Sequence, residues 1–345
     1  MRAPLRLLSF VLLAPLDWAC APQVTPPREA AHAGATPTAG GSATRGNPAS
    51  PAVTPAATVP TPPDTTRGRE LHLVTESLDF AVVGDTRPSY PDDTRGYPGA
   101  TIRSIYQSIE RENPRPAFTV GTGDYVFATS FGHQALPQLD LYMDARSAFS
   151  GPVYLAMGNH ECTGLTSSNC GGEARDGAPR PYLAYLDRVL TPMGLSTPWY
   201  SLRVDAKDAS WSAKFVFIAP NAWNDEQADW LDRVLNDEPT TYTFAVRHEG
   251  ARWIAAPGVK PSNRALDDHP PTLALVGHVH TYRRDANGKE LVVGNGGAPL
   301  TSTVGFGYVL AHRRPDGAVE FRSIRLDGHE EIERFAVNAD GSPAD

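Results

Sequence analysis

Three observations predict an α/β fold. Short apolar runs alternate with segments of helical period. The runs stop at glycine followed by a polar residue, and the apolar residues that a core needs become frequent only from about residue 69. Leu78 to Val83 is a largely apolar run closed by Gly84-Asp85, which suits a buried strand. Ala100 to Asn113 carries Ile102, Ile105, Tyr106 and Ile109 at helical spacing and closes at Asn113-Pro114. Ala117 to Val120 is a second strand, ending at Gly121-Thr122-Gly123-Asp124. Leu136 to Phe149 is a second helix, with Pro137 tolerated in its first turn. Val153 to Met157 is a third strand, ending at Gly158-Asn159-His160-Glu161. This βαβαβ opening is what makes the class α/β.

The second half is richer in strands: Tyr200 to Val204, Lys214 to Ile218, Tyr242 to Val246, Leu273 to Val276 and Leu291 to Val293. Gly307 to His312 and Val319 to Ile324 complete the sheet, and Gln227 to Leu235 is the one clear helix among them. The domain so defined spans 69–345.

The N-terminal fifth has a different character. Residues 1–20 read as an export signal: Arg2 and Arg6 supply the positive region, and Leu5 to Leu16 form an apolar stretch too short to cross a bilayer. Cys20 after Ala19 is a candidate for lipidation and membrane attachment. Asp17 and Trp18 fit that pattern poorly, so conventional cleavage nearby is the alternative. Residues 21–68 are expected to be a flexible tether. Between 21 and 66 there are ten prolines and no Phe, Trp, Tyr, Leu or Ile, so ordering entropy has no apolar burial to offset it. The expected location is exported, either membrane-anchored in the periplasm or secreted. In such an oxidising compartment Cys162 and Cys170 are expected to pair as a disulfide.

The net charge of -8 and the absence of a basic block argue against a general electrostatic grip on nucleic acid. A phosphate-bearing small molecule stays open, because a metal site brings its own positive charge.

The polar residues of interest stand where the strands stop: Asp85, Asp124, Asn159 and His160, His248, and finally His278 and His280. Ligands of α/β sheets gather beyond the carboxyl ends of strands, so these residues are expected to converge. Two carboxylates, an amide and three imidazoles make a mixed oxygen and nitrogen set that suits Mn, Zn or Fe, with Asp124 placed to bridge two ions.

The order of these motifs resembles the calcineurin-like metallophosphoesterase superfamily, across about residues 75–300. The family pattern is Asp-x-His, Gly-Asp, Gly-Asn-His followed by Glu or Asp, a strand-end His, and Gly-His-x-His. This chain has Asp85-Thr86-Arg87, Gly123-Asp124, Gly158-Asn159-His160-Glu161, His248 and Gly277-His278-Val279-His280. The resemblance implies two mixed β-sheets packed as a sandwich flanked by helices, around a centre of two divalent or trivalent metal ions. Asp85, Asp124 and His280 would hold the first ion, and Asp124, Asn159, His248 and His278 the second. His160 would contact the phosphate and protonate the leaving group.

Arg87 stands where the family usually has a metal-binding histidine. The related purple acid phosphatases use a tyrosine three residues after the bridging aspartate, and here that residue is Phe127. The first site is therefore expected to be weak, completed by another ligand, or empty. Arg87 itself suits paired hydrogen bonds to phosphate oxygens; the bland alternative is a surface salt bridge to Asp92 or Asp93. The expected activity is hydrolysis of a phosphate mono- or diester by a metal-bound hydroxide, with Arg87 and His160 assisting. The alternative is a non-catalytic, surface-anchored ligand-binding protein on the same fold.

Overall fold

The computed structural model describes residues 70–162, 170, 178–237 and 239–345. The expected export signal and tether lie outside the described residues. Among the described residues no helix is long and apolar enough to cross a membrane.

Two seven-stranded sheets form the domain. One runs in the order β1 (Glu70–Thr75), β5 (Tyr200–Ala206), β6 (Ser212–Phe217), β7 (Tyr242–Val246), β8 (Leu273–Val276), β10 (Glu290–Val293), β9 (Tyr282–Arg284). The other runs β14 (Pro343–Ala344), β13 (Glu330–Val337), β12 (Val319–Arg325), β11 (Gly307–Arg313), β2 (Asp79–Val83), β3 (Phe118–Gly121), β4 (Val153–Leu155). Both sheets are mixed. β2, β3 and β4 are parallel while β11 returns antiparallel beside β2; β6, β7 and β8 are parallel while β5 opposes β6.

The sheets meet through an aromatic cluster. The Phe80 ring of β2 lies 5.5 Å from Phe118 on β3, and edge-on 5.0 Å from Phe215 and 5.4 Å from Phe244 on the opposite sheet. All four rings are buried. That covering of both faces is why β2 reads as a continuous apolar run rather than an alternating one. The helices α1 (Gly99–Glu110) and α2 (Ala135–Arg146) pack together, and the Tyr106 and Tyr142 hydroxyls hydrogen-bond at 2.9 Å. A short helix, α3 (Arg180–Tyr185), follows them, and α4 (Asp225–Asn236) and α5 (Val259–Asp268) pack against each other in the second half.

The expected strands are present to within a few residues. α4 begins earlier than its apolar period suggests because the Asn224 side chain accepts from the Gln227 N–H at 2.8 Å and caps it. α5 was not expected. Its buried face is Val259, Ser262 and Leu266, and the serine at its centre breaks the apolar pattern. That serine is satisfied: its Oγ donates to the Gly258 carbonyl at 2.7 Å and accepts from Arg247 at 2.8 Å. β13 also escaped the pattern, since half of its residues are charged and it is tied to β12 by pairs such as Arg322–Glu331 at 2.7 Å. The expected disulfide is corrected. Cys162 and Cys170 are buried free thiols whose Sγ atoms both face the Asn221 carbonyl, at 3.4 and 3.0 Å. Spacing in sequence marked them as neighbours, and both lie beside the same carbonyl.

Candidate metal centre

The strand-end residues converge. Asp85 follows β2, Asp124 follows β3, and Asn159 and His160 follow β4 on one sheet; His248 follows β7, and His278 and His280 follow β8 on the other. The chain turns sharply there. Asp85, Asp124 and His278 take positive φ values of 55°, 61° and 69°, a conformation that non-glycine residues adopt only where surroundings hold them. The holding groups are visible. The Asp85 and Thr86 N–H groups donate to the Gly123 and Asp124 carbonyls, at 3.0 and 2.9 Å. The His278 N–H donates to the Asp85 carboxylate at 3.0 Å. Gly158 must lack a side chain, because a Cβ there would overlap the Asp124 carboxylate.

Glu161 organises the turn after β3. One of its oxygens accepts from Asp124 N–H at 2.9 Å and Gly158 N–H at 2.8 Å, and the other from Tyr125 and Val126 N–H at 2.7 and 3.1 Å. Burial, with Asp124 nearby, pushes its pKa up to about 7, and the N–H donors oppose that shift.

Four potential ligand atoms follow one another in close contact, with His248 at the centre. His248 Nε2 lies 3.1 Å from Asn159 Oδ1 and 3.3 Å from Asp124 Oδ1. His278 Nδ1 lies 3.0 Å from the same Asn159 oxygen and 3.2 Å from His248 Nε2. The other His248 nitrogen donates to the Thr122 carbonyl at 2.9 Å, which directs Nε2 inward. An amide oxygen, a carboxylate oxygen and two imidazole nitrogens on neighbouring turns are the donor types that suit a divalent or trivalent ion, so this half of the centre fits a metal ion.

The other half does not fit one in the same way. The Arg87 guanidinium enters it: Nε is 3.6 Å from Asp124 Oδ2, Nη2 is 3.4 Å from His280 Nε2, and Nη1 donates to the Pro88 carbonyl at 3.0 Å. Its Cζ lies 4.7 Å from the centre of the Phe127 ring, a cation–π contact. Arg87 thus points inward rather than to Asp92 or Asp93; Asp92 accepts from Thr129 and Asp93 from Gly96 N–H. The buried His160 ring packs edge-on against Phe127 at 4.4 Å, with Nε2 3.8 Å from Asp124 Oδ2 and Nδ1 without a protein partner.

The charges explain the titration directions. Burial raises the Asp85 carboxyl, and nearby Asp124 adds to that. Burial acts the same way on Asp124, but His248 and His160 outweigh it and hold Asp124 well below the usual range. Burial lowers His160 to about 4 and His278 to about 3, and it lowers His280 with the help of Arg87, so these rings are neutral. His248 is raised, since Asp124 and Asp85 overcome its burial.

Two neighbours of the centre carried no signal in the sequence. Glu249 is buried and accepts from Asn221, while its second oxygen has no partner; the carboxylate groups with the ring nitrogens of His248 and His278 within 4.8 Å. Strand alternation after His248 would have pointed it away. Trp253 packs edge-on against His278 at 4.6 Å and is 45% exposed, at the rim. The other described histidines stand elsewhere: His72 pairs with Asp205 and His312 with Asp79. His329 approaches Glu112, and His133 meets Arg180.

The fold is shared with solved structures of other proteins. A purple acid phosphatase, PPD1 from yellow lupin seeds, shares the fold at 16% identity and a TM-score of 0.54, over 76% of this chain and 54% of that one. This chain therefore spans about half the length of the lupin protein. GAP50, the anchor in the inner membrane complex of Plasmodium, shares it at 14% identity and a TM-score of 0.51, over 78% of this chain and 90% of that one. No curated protein sequence matches the chain. The calcineurin-like phosphoesterase pattern matches residues 78–282, more than half of the chain and the stretch that carries every strand-end residue described above. The chain belongs to the calcineurin-like phosphoesterase family.

Proposed function

We propose that this chain hydrolyses a phosphate ester, mono- or diester, at the strand-end centre. The observation that carries the reading is the run of four donor atoms, on Asp124, His248, Asn159 and His278, linked by contacts of 3.0–3.3 Å. A divalent or trivalent ion such as Mn, Zn or Fe, held there, polarises a phosphoryl oxygen and acidifies water. The chain's own residues do the rest. Arg87 keeps its Nε without a hydrogen-bond partner and presents a fixed cation to the phosphoryl oxygens. His160 enters as a neutral ring, and a phosphate drawn beside it favours its protonated form, the state that donates a proton to a leaving oxygen. Phe127 and the Asp124 carboxylate hold that ring in place.

The proposal extends to the rest of the chain: a domain of residues 69–345 carried outside the cytoplasm on the 21–68 tether, with a lipid on Cys20. The mass of the N-terminal peptide from the mature protein checks the anchor, since lipidation adds the mass of the acyl chains and plain cleavage does not.

The activity test is hydrolysis of p-nitrophenyl phosphate and of its diester by the full-length chain, with Mn, Zn and Fe supplied separately and Asp124→Ala as control. Metal-dependent turnover that disappears in the control supports the proposal, and the preferred ester assigns mono- or diesterase. Metal retained and phosphate bound without turnover selects the non-catalytic binding protein instead.

A further inference from the structure

We propose that the Arg87 guanidinium takes the place of the first metal ion, so that this chain holds a single ion, in the Asp124–Asn159–His248–His278 half. The inference rests on the metal-centre reading above and departs from the paired centre that the motif order implies.

The geometry of the first half carries it. An ion there needs lone pairs from Asp85, Asp124 and His280. His280 Nδ1 lies 2.7 Å from the Pro299 carbonyl, an approach that requires an N–H on that nitrogen. The remaining lone pair is on Nε2, which lies 3.4 Å from Arg87 Nη2 and 3.5 Å from Asp85 Oδ1. The Asp124 oxygen that turns away from His248 is Oδ2, and Arg87 Nε lies 3.6 Å from it. One guanidinium thus reaches two of the three ligands. An ion bonded at about 2.0–2.2 Å to those ligands would fall within contact distance of the guanidinium carbon and nitrogens, and two cations do not share that space.

The surroundings hold Arg87 in this position. Its Nη1 is tied to the Pro88 carbonyl at 3.0 Å, and its Cζ rests 4.7 Å from the Phe127 ring centre. Phe127 offers a π face, which attracts a guanidinium and cannot ligate a metal. Two groups of mutually close acidic and imidazole side chains occur among the described residues. Asp85, Asp124 and His248 form one, and His248, Glu249 and His278 another; His280 belongs to neither. A fixed +1 charge beside the two buried carboxylates does part of what a second ion does, without dependence on metal supply. It also gives the phosphoryl oxygens a directional donor in place of a coordination bond.

The test is metal stoichiometry. The full-length chain is stripped with chelator, loaded with excess Mn(II), dialysed, and measured for Mn per chain by mass spectrometry and for its electron paramagnetic resonance spectrum. One Mn per chain with an uncoupled six-line signal is expected, and Arg87→His should raise the content to two with a spin-coupled spectrum. Asp85→Asn, which keeps an oxygen to accept from the His278 N–H, should keep the single ion, whereas Asn159→Ala should lose it. Two Mn per natural chain, or loss of the ion in Asp85→Asn with retention in Asn159→Ala, overturns the inference and leaves the phosphoesterase reading standing. No Mn bound to the natural chain overturns both.

Discussion

Glu161 shows how a single side chain can set a site without touching what the site binds. Its carboxylate collects the N–H groups of Asp124, Tyr125, Val126 and Gly158, which fixes the turn that aims Asp124 at His248. Glu161→Gln replaces one acceptor oxygen with a donor facing those N–H groups. Each buried N–H left unsatisfied costs about 1–3 kcal/mol. Urea unfolding should therefore show a loss of at least about 2 kcal/mol, and the metal affinity should fall with it. At Arg87 the expected effect is on the reaction. Arg87→Ala should lower kcat/KM by about 10²-fold, the usual cost of one preorganised donor. Trp253 sits at the rim against His278. Trp253→Ala should raise KM for an aryl phosphate and leave kcat nearly unchanged. A residue such as Asp124 was legible in the sequence because it follows glycine at the end of an apolar run. Glu249 and Trp253 were not, because only the path of the loop after β7 brings them to the centre.

At the level of elements, the strands that position the site are also those that build the core. β2 places Phe80 between both sheets, with Phe118 beside it and Phe215 and Phe244 opposite, and then delivers Asp85 a few residues later. Phe80→Ala should cost about 3–5 kcal/mol in urea unfolding, the range for a buried phenyl replaced by a methyl. The buried parallel strands could be read from composition alone, since apolar runs closed by glycine mark them. Elements stabilised by charge or by polar contacts could not. β13 is held by pairs such as Arg322–Glu331, and α5 turns a serine inward to meet Arg247. Neither leaves an apolar period in the sequence.

Across the whole molecule, the centre joins the two sheets. Asp85, Asp124 and Asn159 come from one, and His248, His278 and His280 from the other. An ion that binds only the folded chain stabilises it by about 2.7 kcal/mol at a hundred times its Kd. Chelation should therefore lower the Tm of the natural chain and leave that of Asn159→Ala unchanged. The pairing of sheets around the site was visible only through the order of motifs, because nothing in strand periodicity says which strands face each other. The central claim, a metal-dependent phosphoesterase centre at these strand ends, is tested most directly by p-nitrophenyl phosphate turnover in metal-stripped chain before and after Mn is restored. The account predicts turnover that vanishes on stripping, returns with metal, and never returns in Asp124→Ala. Turnover that survives stripping, or that Asp124→Ala performs as well as the natural chain, would contradict it.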